Sequence, residues 1–184
     1  VRRFDREGKN TRIPFLSAMS MLSAKDNETH SYLEIADALR QEGAEPGQDL
    51  AELWRRIVFN VLISNTDDHL RNHGFLYAGP SGWRLAPAYD LNPVPTDLKP
   101  RVLSTSIDLD DPAASLSTAF DVAGYFRIER GRARGIAAEV GAAVTGWRTE
   151  AARLGLTSSE CDRMASAFEH EDLRMAISHP RIGV

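Results

Sequence analysis

The stretch "NTDDHLRNHG", Asn65–Gly74, gathers two acids, two histidines, two asparagines and an arginine into ten positions, one residue after the apolar run "IVFNVLI" (57–63). So much polarity at the end of an apolar element is costly to bury and reads as chemistry set at the edge of a core. Asp67 stands five positions before Asn72, and a further acid, Asp90 in "PAYDLNP" (87–93), comes after a segment that reads as a hairpin. Carboxylate and amide oxygens are the hard ligands that Mg²⁺ selects. A carboxylate can also orient an attacking hydroxyl, and His69 or Arg71 can bring a cation to a moving phosphate.

Length and composition limit the readings. With 184 residues the chain can bury one sizeable core, so it is one domain or a large lobe of a longer protein. A formal net charge of -4 argues against a nucleic-acid surface driven by bulk charge, and the run "RIERGRARG" (127–135) reads as a solvated helix start. Cys161 is the single cysteine, which excludes a disulfide framework and a Cys-based zinc site and fits a reducing, cytoplasmic setting. No apolar run approaches the roughly 18 residues of a membrane span, and no signal-peptide pattern opens the chain. The opening "VRRFDREGK" reads as the end of a strand with no upstream partner, which predicts that an N-terminal part has been cut away.

Along the chain, "SYLEIADALRQEG" (31–43) predicts a helix behind a capping box of Ser31 and Glu34, stopped by Gly43. After the turn "AEPGQ", Asp49 is expected to cap a second helix whose Leu50, Leu53, Trp54, Ile57, Val58, Val61 and Leu62 cover most of its circumference and place it at the centre of the core. Phe75–Ala78 and Trp83–Ala86, separated by Gly79, Pro80, Ser81 and Gly82, predict a β-hairpin. A hairpin returns to its start, so Asn72 and Asp90 are expected at the same end. The stretch "NPVPTDLKP" (92–100) is turn-rich, and helical patterns resume from about 115, with a capping box of Thr157 and Glu160. Trp54, Trp83 and Trp147 read as core anchors. The fold class is therefore mainly α with a small β-hairpin.

The five-residue spacing of Asp67 and Asn72 is that of the Asp and Asn in the catalytic loop of protein kinases, where a hairpin and a second metal-binding Asp follow. Asp68 has the wrong offset for that role. "NTDDHLRNHGFL" followed by "WRLAPAYDLNP" resembles the catalytic core of HipA-like serine/threonine kinases, the toxin halves of bacterial type II toxin–antitoxin pairs, and "VRRFDRE" is similar to that family's hinge. The resemblance covers essentially the whole chain and implies a kinase-like C-terminal lobe that uses ATP and Mg²⁺. In it Asp67 is the catalytic acid/base, Asn72 and Asp90 are the Mg²⁺ ligands, His69 lies near the phosphates in place of a lysine, and Phe4 offers backbone groups to adenine. Arg2 stands where the family carries an acidic residue.

The implied layout is a hinge segment over 1–10, a helical part over 11–64, the catalytic loop, hairpin and metal-binding loop over 65–100, and C-terminal helices over 115–184. The family's N-terminal lobe, with its phosphate-covering loop and nucleotide-binding lysine, is not visible in these residues and is expected to lie upstream in a longer protein. Lys9, Lys25 and Lys99 are the only lysines, none in a strand context suited to that role. A lone lobe is expected to fold without measurable kinase activity. The resemblance also implies a protein substrate of the aminoacyl-tRNA synthetase kind and a helix-turn-helix antitoxin as partner. Two other readings compete: a non-catalytic interaction module in which the motif is a relic, and a metal-dependent hydrolase built on Asp67, His69 and His73. On its own His73 reads as a packing residue or as one that supports a neighbouring site residue.

Overall fold

The computed structural model describes residues 3–8 and 11–178, so the expectations for Arg2 and Lys9 lie outside the described residues. Helix α3 (Pro46–Leu62) is the centre of the fold, and every apolar residue predicted for its buried surface is buried, with Trp54, Ile57 and Val61 fully so. Each such side chain contributes roughly 1.5–3 kcal/mol by leaving water. Trp54 places its indole N–H on the Ala119 carbonyl at 2.9 Å, which satisfies the one polar atom it takes into the core.

The start of α3 differs from expectation. Pro46 occupies the first turn, where its missing N–H costs nothing, so "PGQ" is helix and not turn. Asp49 therefore does not cap. It lies buried inside the first turn and accepts from Arg84 Nε at 2.9 Å, Arg84 Nη2 at 3.1 Å and the Leu85 backbone N–H at 3.1 Å.

Helix α2 (Tyr32–Glu42) packs beside α3, with the Ser31–Glu34 capping box at its start and Gly43 at its end, as the sequence predicts. The stretch 11–30, expected to be helical, is mostly extended or irregular. After β1 (Arg6–Glu7) come β2 (Thr11–Arg12), β3 (Phe15–Ser17), a single helical turn α1 (Ala18–Met21) and β4 (His30–Ser31). Strand β1 pairs antiparallel with β2, so the opening strand finds its partner locally.

The predicted hairpin is present as β5 (Gly74–Tyr77) and β6 (Trp83–Leu85), and β3 joins it as a third antiparallel strand, with Leu16 opposite Phe75 and Phe75 opposite Leu85. Gly82 closes the hairpin at φ 112°, and a Cβ there would sit 2.3 Å from the Glu42 carbonyl oxygen, so both conformation and space demand glycine. Farther along, β7 (Thr105–Ser106) pairs parallel with β4.

The remainder is helical: α4 (Leu116–Asp121), α5 (Arg130–Val144), α6 (Trp147–Arg153), α7 (Ser158–Phe168) and α8 (Glu171–Ser178). Helices α4, α5 and α8 cover α3, and Arg130 and Arg132 are solvated at the start of α5, as expected. Trp83 packs against the core while staying partly exposed. Trp147 is not a core anchor: it stacks on Phe168 at 4.4 Å and so ties α6 to α7. Among the described residues no helix is long and apolar enough to cross a membrane.

Candidate active site

Helix α3 ends at Leu62, and the chain turns through Ser64, which adopts a left-handed φ of 52°, into the polar cluster. Backbone bonds fix this turn from both sides: Asn65 N–H donates to the Asn60 carbonyl at 2.9 Å, and Ser104 donates to the Thr66 carbonyl from its N–H at 3.1 Å and its hydroxyl at 2.9 Å. A short 3-10 turn, Leu70–Asn72, then leads into β5. Leu70 is buried and anchors the turn to the core.

The two adjacent acids go opposite ways. Asp67 is exposed. Asp68 is 1% exposed, and its Oδ2 accepts from the Tyr32 hydroxyl, from Asn60 Nδ2 at 2.8 Å and from His73 Nε2 at 2.7 Å. Burial, reinforced by the Asp68 carboxylate, pushes the Tyr32 phenol well above its ordinary pKa, so it stays a neutral donor. Asp68 has the wrong offset for the catalytic-loop acid, and its spacing alone gives it no role. Tyr32, Asn60 and Arg56 were likewise unmarked. The signal available in the sequence was polarity inside an otherwise apolar helix: Asn60 and Arg56 are both buried on α3, and Arg56 Nη2 donates to the Ala86 carbonyl at 2.7 Å.

Asn72 is buried, and its Nδ2 reaches the Asp67 carbonyl at 3.4 Å, which leaves the amide oxygen for another partner. Asp90 is exposed, adopts a left-handed φ of 57°, and accepts from Asn92 Nδ2 at 2.7 Å through Oδ1. Aspartate tolerates that conformation better than most residues. Next to it, the Tyr89 hydroxyl donates to the Arg71 carbonyl at 2.7 Å, joining the loop of Asp90 to the turn of Asn72. Burial raises the Tyr89 phenol, and the charge of Asp68 adds to that. Phe4 stacks on Tyr89 with ring centroids 5.8 Å apart, so the N-terminal stretch meets the same loop.

His69 lines a cleft of about 170 Å³ together with Lys25, Asp26, His30, Arg71 and Thr105, while Phe4, Asp67, Asn72 and Asp90 do not line it. His73 is committed to Asp68 and meets the Tyr32 ring edge-on at 5.5 Å. It is thus a buried residue held by Asp68, in keeping with the supporting or packing role that the sequence suggests. Among the described residues no three His, Cys, Asp or Glu side chains gather as a metal-binding set, so the hydrolase arrangement of Asp67, His69 and His73 is not built.

The donors that remain fit Mg²⁺ by type: an amide oxygen on Asn72 and a carboxylate on Asp90, on two loops held together by a hydrogen bond.

A family model described as the HipA-like C-terminal domain matches residues 1–167. A Haemophilus influenzae protein provisionally named a kinase is 41% identical over 66 residues, 35% of this chain and 19% of that protein. A Sinorhizobium fredii protein, Y4dM, also provisionally named a kinase, is 34% identical over 93 residues, 50% of this chain and 22% of its own length. A chain of the Shewanella oneidensis MR-1 complex of HipA, HipB and operator DNA matches with a TM-score of 0.74 over 96% of this chain and 47% of that one, at 17% identity. The chain thus spans about half the length of that structural relative, and the aligned stretches cover about a fifth of the curated ones.

Proposed function

The chain belongs to the HipA-like C-terminal domain family, and we propose that it is the C-terminal catalytic lobe of a serine/threonine protein kinase that moves the ATP γ-phosphoryl group to a protein hydroxyl. The observation that carries this reading is the bond from Tyr89 to the Arg71 carbonyl, which brings the Asp90 loop to the Asn72 turn beside an exposed Asp67. When bound, Mg–ATP supplies the phosphoryl group and neutralises its developing charge.

Asn72 and Asp90 would hold the metal, whose charge would favour the transferring phosphoryl group. Asp67 orients the acceptor hydroxyl and takes its proton, His69 faces the phosphates, and Phe4 offers its backbone to adenine. Catalysis of this kind is mostly positioning, which suits side chains held by a rigid turn between α3 and β5. The segment 1–10 acts as hinge, 65–100 as catalytic and metal-binding loops around the hairpin, and 115–184 as the supporting helices. The partners of this reading are a protein acceptor, of which an aminoacyl-tRNA synthetase is one kind, and a helix-turn-helix antitoxin. The HipB and operator DNA in the Shewanella complex support the latter. The setting is cytoplasmic, and the lobe itself makes no claim on nucleic acid.

The test is phosphoryl transfer by the longer parent protein, with Asp67→Ala as control. Transfer is expected to fall by about 10³-fold or more in the variant while Mg–ATP binding persists, because the acid positions the acceptor and not the nucleotide. Damage from Asp68→Asn that exceeds damage from Asp67→Ala would overturn the assignment of the acid/base.

A further inference from the structure

Asp67 and Asp68 are adjacent and chemically identical, yet one is exposed and the other is 1% exposed. Taking a carboxylate out of water costs several kcal/mol unless donors replace the solvent. Here the donors come from three separate elements: Tyr32 at the start of α2, Asn60 near the end of α3, and His73 just ahead of β5.

Each donor is itself fixed. Tyr32 is fully buried, Asn60 Oδ1 accepts from Asn65 Nδ2 at 3.0 Å, and the His73 carbonyl accepts from the Ala18 N–H at 2.7 Å. The start of the loop at Asn65 and its end at His73 therefore hang from the same group of side chains, with Asp68 between them. An inward Asp68 leaves its neighbour Asp67 outward, and it sets where the turn carrying His69 and Asn72 begins.

We propose that Asp68 is a positioning residue of the catalytic loop. It touches none of the reacting groups. It acts through Tyr32, Asn60 and His73 to hold Asp67, His69 and Asn72 where the reaction needs them. The proposal rests on the phosphoryl-transfer reading above. An apolar residue would have closed the core at lower desolvation cost. What the carboxylate adds is direction, since three donors can meet one oxygen in only one arrangement of the loop.

Two measurements test this. In the longer parent protein, at a temperature where each variant is folded by circular dichroism, Asp68→Ala is expected to lower kcat by about 10²-fold, the scale of a displaced catalytic group. Asp68→Asn, whose amide oxygen can still accept from the three donors, is expected to recover to within about tenfold of the parent, and Tyr32→Phe to lose about three- to tenfold, the worth of one hydrogen bond. A folded Asp68→Ala protein with unchanged kcat would overturn the proposal, because a merely structural residue moves stability alone.

The second measurement needs no activity: amide hydrogen exchange in the 184-residue chain. Residues 67–72 are expected to exchange roughly tenfold faster or more in Tyr32→Phe and Asp68→Ala, with the amides of α3 between Leu53 and Val58 unchanged. Equal exchange across 67–72 overturns the proposal whatever the enzyme assay shows. Absence of transfer by the parent protein would instead sink the kinase reading and leave the exchange result to decide on Asp68.

Discussion

Tyr89 donates its hydroxyl proton to the main-chain carbonyl of Arg71 at 2.7 Å, a bond between loops 18 residues apart in sequence. The ring of Tyr89 is stacked on Phe4, so one side chain joins the N-terminal stretch, the Asp90 loop and the turn of Asn72.

Replacing Tyr89 by Phe keeps the stack and removes the bond. A hydrogen bond of this kind is worth about 1 kcal/mol net, so Mg–ATP affinity of the longer protein should weaken by about fivefold. Titration calorimetry reads this directly. Unchanged affinity would mean that Asp90 is held without Tyr89.

In crystals of the longer protein with Mg²⁺ and a non-hydrolysable ATP analogue, the Asn72 amide oxygen and an Asp90 carboxylate oxygen should both lie about 2.1 Å from one ion. Asp90→Ala should abolish the Mg²⁺ dependence of nucleotide binding. A cation that ignores either residue refutes the ligand pair.

Asp49→Ala leaves Arg84 and the Leu85 N–H without the carboxylate that joins α3 to β6. Arg84 is partly exposed, so water compensates in part, and the expected loss is about 2 kcal/mol. Urea unfolding of the chain should show a lower midpoint at an unchanged slope.

His170 gives a pH dependence. Its pKa is held below the ordinary 6.5, first by burial and then by the nearby Arg101, so the unfolded chain takes up the proton more readily than the folded one. Stability is therefore unaffected above about pH 6.5 and falls as pH drops below that value, until the folded-state pKa is reached. His170→Gln, which can keep a donor to the Leu62 carbonyl, should flatten that part of the stability profile.

The elements that announce themselves by local rules were legible in the sequence: the capped helices at Ser31 and Thr157, the apolar α3, and the hairpin between two turn-formers. Pro46 was misread because a proline followed by glycine looks like a turn until the helix it begins is seen. Strand β3 and the β4–β7 pair were not legible, since two or three residues carry no period of their own and gain their conformation from a partner far away in sequence. At the site, the offset of Asp67, Asn72 and Asp90 was readable as spacing. The inward role of Asp68 was not, because it depends on Tyr32, Asn60 and His73, which only the tertiary fold brings together.

The segment that leaves the hairpin is secured at both ends, by Ala86 N–H on the Gly74 carbonyl at 2.8 Å and by the parallel pairing of Thr105 with His30. Between these ends Asp97, Leu98, Lys99 and Pro100 are all exposed. Doubling the length of such a loop costs only about 0.6 kcal/mol in closure entropy. Insertions at the exposed tip 98–100 are therefore expected to leave in place both anchored ends and the bonds that tie Thr96 and Asp97 to Ser166.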